Sequence, residues 1–80
     1  MTVTWVIPGD IVVPNPKENI RSALLWRVPS WVIAGTLDTG ELGLVLATDI
    51  HTQRYATLAL VTGPNGMGWV NARFIKRVTT

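Results

Sequence analysis

Hydrophobic and polar positions alternate along most of this 80-residue chain, and glycine and proline switch the alternation on and off. At the start, Val3, Trp5 and Ile7 fall on one side and Thr2, Thr4 and Val6 on the other. That pattern predicts a short strand or extended arm over residues 1–8. Pro8-Gly9-Asp10 breaks it as a turn. Ile11, Val12 and Val13 then start a strand that Pro14 stops.

Further along, Gly43 lies in an apolar strand expected over 41–48, where a missing side chain lets a strand bend sharply. A polar connection over 49–53 leads to a strand over 54–62. Gly63-Pro64-Asn65-Gly66 is a hairpin signal, because Asn and Gly tolerate positive φ at little steric cost. Strand 67–71 follows, then Asn71-Ala72-Arg73-Phe74 as one 3₁₀ turn, and Ile75 to Val78 closes the sheet. About five strands result, and the expected class is all-β.

Residues 15–35 support two readings. In the first, Asn15 is the N-cap of a helix, Pro16 sits at its first position and Glu18 completes a capping box. Ile20, Ala23, Leu24 and Val28 then share one face at helical spacing, and Pro29 ends the helix. In the second, the segment is an extended, hydrophobic insertion with residues 26–33 as a β-arm.

The pieces Pro8-Gly-Asp-Ile-Val12, Gly40-Glu-Leu-Gly-Leu-Val-Leu46 and Gly68-Trp-Val-Asn-Ala-Arg-Phe-Ile-Lys76 resemble the SH3-like barrel superfamily. More narrowly, they resemble the small SH3-like proteins common in bacteriophage genomes. The likeness covers about two-thirds of the chain. It implies one SH3-like barrel over residues 1–80, with an arm at 1–8 and a hydrophobic insertion at 15–35 in its first long loop. The chain departs from that pattern between Lys17 and Ile33, where a short polar loop is usual. It also lacks the acidic loop and tyrosine pair with which eukaryotic SH3 domains take proline-rich peptides. A second resemblance, through Gly9-Asp10 and the 41–46 strand, is to KOW-type RNA-binding barrels. There basic loops approach RNA, whereas here that strand carries no basic residue.

Composition changes the picture in one respect. The chain is 48% hydrophobic and only 15% charged, against roughly 25% charged in an ordinary soluble domain. So small a particle has too few charges to cover its outside, and apolar surface is expected to face another molecule. With no cysteine, packing alone must hold the fold, and a reducing compartment suits it. Net charge of +2 is too weak to diagnose nucleic-acid binding. Neither a signal peptide nor a bilayer-spanning run is legible, so the expected location is a virion or the host cytoplasm.

Candidate chemistry is sparse. His51 has Asp49 two residues away, an arrangement that can orient an imidazole, but no nucleophile accompanies it and a solvated loop histidine explains it. Asp10, Glu18, Asp38, Glu41 and Asp49 form no metal-ligand run. No phosphate loop is present. The expectation is a protein that is not an enzyme and uses no cofactor or metal.

The tryptophans carry the functional reading. Leu24, Leu25, Trp26, Trp31, Val32 and Ile33 gather in the insertion, and a barrel this small is not expected to hold them all. Tryptophan is enriched among interface anchors. Burying two indoles and two leucines against a partner contributes on the order of 10 kcal/mol before ordering costs, at ~25 cal/mol per Å². The sequence therefore points to a structural or interaction module, such as a phage virion accessory protein docking on a larger capsid, neck or tail protein, or associating with itself. Two alternatives stay open. One is a nucleic-acid-binding barrel using Trp69, Arg73, Lys76 and Arg77, and the other is a small inhibitor of a host protein.

Overall fold

The computed structural model describes residues 6–18, 21–51 and 56–78. The arm expected over residues 1–8 lies mostly outside them; Val6 is buried and Ile7 is exposed. Along the chain run β1 (Ile11–Pro14), a 3₁₀ turn (Pro16–Glu18), β2 (Ser22–Arg27), β3 (Val32–Asp38), β4 (Gly43–His51), β5 (Ala56–Gly63), β6 (Asn65–Asn71), a second 3₁₀ turn (Ala72–Phe74) and β7 (Ile75–Arg77). The seven strands form one sheet in the order β2-β3-β6-β5-β4-β1-β7. All pairings are antiparallel, and the sheet curls into a half-barrel in which β2 also meets β6.

Among the described residues there are seven strands rather than about five. Strands β1, β5, β6 and β7 stand within two residues of where the alternation predicts them, and the second 3₁₀ turn falls on Ala72–Phe74 with Asn71 as its cap. Strand β4 runs three residues further than expected, through Asp49–His51, so that His51 is a strand residue paired with Ala56 and not part of a polar loop. Of the two additional strands, β2 lies in the insertion, while β3 begins there and runs beyond residue 35 to Asp38, with Leu37 fully buried. The helix considered there is overturned. Pro16–Glu18 is a single 3₁₀ turn and Ser22–Arg27, with Ala23 and Leu24, is extended; Ile20 lies outside the described residues. Ala23-Leu24-Leu25-Trp26 is a continuous apolar run that fits either period, so local sequence does not decide it. Six cross-strand pairs with β3, from Ser22↔Asp38 to Arg27↔Val32, decide it by satisfying the backbone in a ladder. Asn15 does cap the first turn, accepting a hydrogen bond from the Lys17 amide at 3.1 Å. Glu18 does not close a capping box; its carboxylate reaches Arg73 at 3.3 Å instead.

Alternation then sorts each strand. Ala23 and Leu25 of β2 point inward and Leu24 points out. They join Val12, Leu37, Val45, Ala59, Val61, Val70 and Ile75 in one core, with Phe74 and Ala72 packed against it. Leu37, fully buried, fills the space over Gly43, where a Cβ would lie 3.2 Å from its side chain and 2.6 Å from that of Val61.

The hairpin of β2 and β3 lies on β6 closer than side chains permit. A Cβ on Gly68 would come within 2.8 Å of the Leu25 carbonyl carbon, and one on Gly35 within 2.7 Å of the Asn65 carbonyl oxygen. On Gly66 it would come within 2.7 Å of the Ala34 carbonyl oxygen. All three obstacles are backbone, so no rotamer change relieves them. Gly66 is held in place by the adjoining turn. It pairs with Gly63 across Pro64 and Asn65, and it alone of those four has positive φ, +118°.

Two substitutions test this packing by denaturant unfolding. Leu25→Ala should cost about 2–5 kcal/mol as a core truncation. Gly68→Ala should cost at least ~1–3 kcal/mol by overpacking, although it adds a single methyl group. A Gly68→Ala protein as stable as the parent would show that β6 and the hairpin are not in this close contact.

Candidate interaction surface

Register places the outward side chains of neighbouring strands side by side. One row crosses five strands: Ile33 opposes Trp26, Trp26 opposes Trp69, Trp69 opposes Leu60, and Leu60 opposes Ala47. A second row crosses four: Met67 opposes Thr62, Thr62 opposes Leu44, and Leu44 opposes Ile11. Their inward neighbours Val70, Gly68, Ala59, Val61 and Leu25 are buried, so both rows lie on the convex face of the curl. Ile33 is 52% and Met67 50% exposed, which leaves this face apolar and open to solvent.

The insertion supplies one end of the five-strand row, Ile33 and Trp26. Its tip turns through Val28-Pro29-Ser30-Trp31, with a cis Val28–Pro29 bond and Trp31 at φ 55°. A left-handed conformation costs a non-glycine residue about 1–2 kcal/mol. It sets the Trp31 indole edge-on to Trp26, with ring centroids 6.4 Å apart and planes at 63°. Such a pair contributes about 0.5–1.5 kcal/mol beyond area burial, which offsets much of that cost.

Of the six residues singled out in the insertion, Trp26, Trp31, Ile33, Val32 and Leu24 lie at the surface, the two indoles half-buried and the other three exposed. Leu25 is a correction. It is fully buried, because β alternation turns it away from Leu24 and Trp26 into the core. A second correction concerns where the surplus apolar surface lies. It is not confined to the insertion: Ile11, Leu42, Leu44, Leu46, Ile50 and Met67 are exposed as well. A five-residue row emerges only when strands distant in sequence pair, and no segment of the chain displays it.

The alternative nucleic-acid patch is divided between two surfaces. Trp69 stands in the apolar row beside Trp26 and Leu60. Arg73, Lys76 and Arg77 instead line an open groove of about 530 Å³ at the end of the half-barrel, where Lys17 joins them. Lys17 was not legible as a member, since 56 positions separate it from Arg73. Asn15 brings the two ends together. Its backbone amide donates to the Phe74 carbonyl at 2.9 Å and its side-chain amide to the Arg73 carbonyl at 2.9 Å. Arg73 pairs with Glu18 at 3.3 Å and lies 5.4 Å from the centre of the Phe74 ring, while Arg77 reaches Asp10 at 3.5 Å.

The remaining carboxylates serve local structure. Asp49 accepts from the Ile50 amide at 2.8 Å, and Asp38 accepts from the Ser22 hydroxyl. Glu41 accepts from the Asp38 amide and from the Asn65 side chain, both at 2.7 Å, which stitches the β3–β4 turn to the β5–β6 hairpin. Among the described residues no group of three or more acidic or histidine side chains is placed to hold a metal ion, and no helix is long and apolar enough to cross a membrane. Comparison of the chain with protein-family models, with curated proteins and with solved structures finds no match.

The Asn15 clamp is open to test. Asn15→Ala removes one cap and one cross-link between the chain ends, and should cost about 1 kcal/mol. In a domain of this size that is a fall of about 4–8 °C in melting temperature. An unchanged transition would mean that the two 3₁₀ turns hold together without it.

Proposed function

We propose that this chain is a small SH3-like barrel protein of the bacteriophage kind, acting as a non-enzymatic structural module that docks on a larger virion protein. The observation that carries the reading is the pair of apolar rows on the convex face, anchored by Trp26 and Trp69 and flanked by exposed Ile33 and Met67. The order of elements supports the fold assignment. A first strand is followed by a long hairpin, a three-strand meander, a 3₁₀ turn and a last strand antiparallel to the first, as in SH3-like barrels. Exposed, contiguous apolar surface on a small soluble domain marks an interface, and tryptophan in a well-packed setting is a frequent anchor. Compared with the sequence expectation, the docking surface moves from the insertion alone to the face that the insertion shares with β4, β5 and β6.

The test uses particles. The chain should co-purify with virions, and a variant carrying Ile33→Glu and Met67→Glu should be lost from them while keeping its circular dichroism spectrum. Recovery of the parent chain only in the particle-free fraction, bound to a host protein, would replace the virion role with that of a host-directed inhibitor. Equal incorporation of parent and variant would remove the convex face as the docking surface.

A further inference from the structure

We infer that the basic groove at the end of the half-barrel is a second binding site, built to take an extended acidic segment of a partner polypeptide. Four of the chain's seven lysine and arginine residues converge there: Lys17 from the first 3₁₀ turn, Arg73 from the second, and Lys76 and Arg77 from β7. Only Asp10 and Glu18 among the five carboxylates lie beside these cations, paired with Arg77 and Arg73. Asp38, Glu41 and Asp49 are engaged elsewhere. Among the described residues no carboxylate pairs with Lys17 or Lys76, both of which are exposed. The chain's modest positive charge is thus concentrated on one concave surface, where it attracts anions and steers their approach.

The walls are preorganised. The Asn15 hydrogen bonds fix the two 3₁₀ turns relative to each other, and Asn71 holds the second by accepting from the Arg73 amide at 3.0 Å. Less side-chain and loop ordering is then needed on binding, which is where preorganisation gains affinity.

The kind of anion is set by the groove's lining. Among the described residues its apolar part is aliphatic, Val6, Ala72 and Ile75, and the neighbouring aromatic ring, Phe74, lies beneath the Arg73 guanidinium and does not line it. Single-stranded nucleic acid is bound mainly by stacking bases on such rings, and the tryptophan that could serve, Trp69, lies in the apolar row of the convex face. Both arginines already accommodate carboxylates, those of Glu18 and Asp10. Carboxylate-holding cations around the small aliphatic surface left open by Ala72 and the edges of the buried Val6 and Ile75 fit a peptide in which acidic and aliphatic side chains alternate, since alternate residues of an extended chain face opposite ways.

Fluorescence anisotropy tests this with a labelled, end-capped dodecapeptide of alternating glutamate and valine. Oligothymidylate of 12 residues serves as the competing probe. The parent chain should bind the peptide saturably at low ionic strength and release it as salt rises. A Lys17→Gln, Lys76→Gln double variant, both sites being exposed, should bind about tenfold more weakly with an unchanged circular dichroism spectrum. The Ile33→Glu, Met67→Glu variant should bind as the parent does, which separates this groove from the convex face. Absence of saturable binding, equal binding by the lysine variant, or tighter binding of oligothymidylate than of the peptide would each overturn the inference.

Discussion

The half-barrel depends on a contact between bare backbones. For the insertion to fold as a hairpin and still belong to the sheet, β2 and β3 must both reach β6, and they do so where Gly35, Gly66 and Gly68 leave no side chain between the chains. Any Cβ at those points would meet a main-chain atom at less than 3 Å. The resulting proximity lets Leu25 fill the core beneath β6 and brings Trp26 level with Trp69 on the other side. Core and outer surface therefore share one origin.

Small size limits the interior. A domain of this length buries a limited share of its surface, and the core here is made of one inward layer, largely valine, leucine and alanine. The other face of a curled sheet with so few charges has to be apolar. Bulky residues that cannot enter are stacked across strands, indole beside indole and leucine, rather than scattered. Packing them side by side leaves Trp26, Trp69 and Leu60 half-covered by their neighbours, which lowers the cost of exposing them.

Charge is arranged by a different part of the architecture. The antiparallel pairing of β1 with β7 puts Val12–Pro14 beside Ile75–Arg77, and the two 3₁₀ turns then lie next to each other under the Asn15 clamp. Cations from both ends meet there. The apolar convex face and the basic groove are consequently separate: the groove is lined mainly from β7 and the two turns, which contribute nothing to the apolar rows.

Local chemistry was enough to read much of the fold. The turn at Pro8-Gly9-Asp10, the five strands β1, β4, β5, β6 and β7, the hairpin through Gly63 to Gly66 and the capped turn at Ala72–Phe74 all arise from alternation and turn residues close together in sequence. Asn15 as a cap was legible for the same reason. The state of Ala23 to Trp26 was not, because an apolar run satisfies both periods until a partner strand supplies hydrogen bonds. Leu25 and Leu24 could not be told apart for function until the strand direction fixed which one faced inward. Nor could Lys17 be grouped with Arg73, or Ile33 with Leu60, since strand pairing between distant segments creates those neighbours. Propensity and turns act over a few residues and are written in the chain, whereas the shared faces of a curled sheet exist only once register is set.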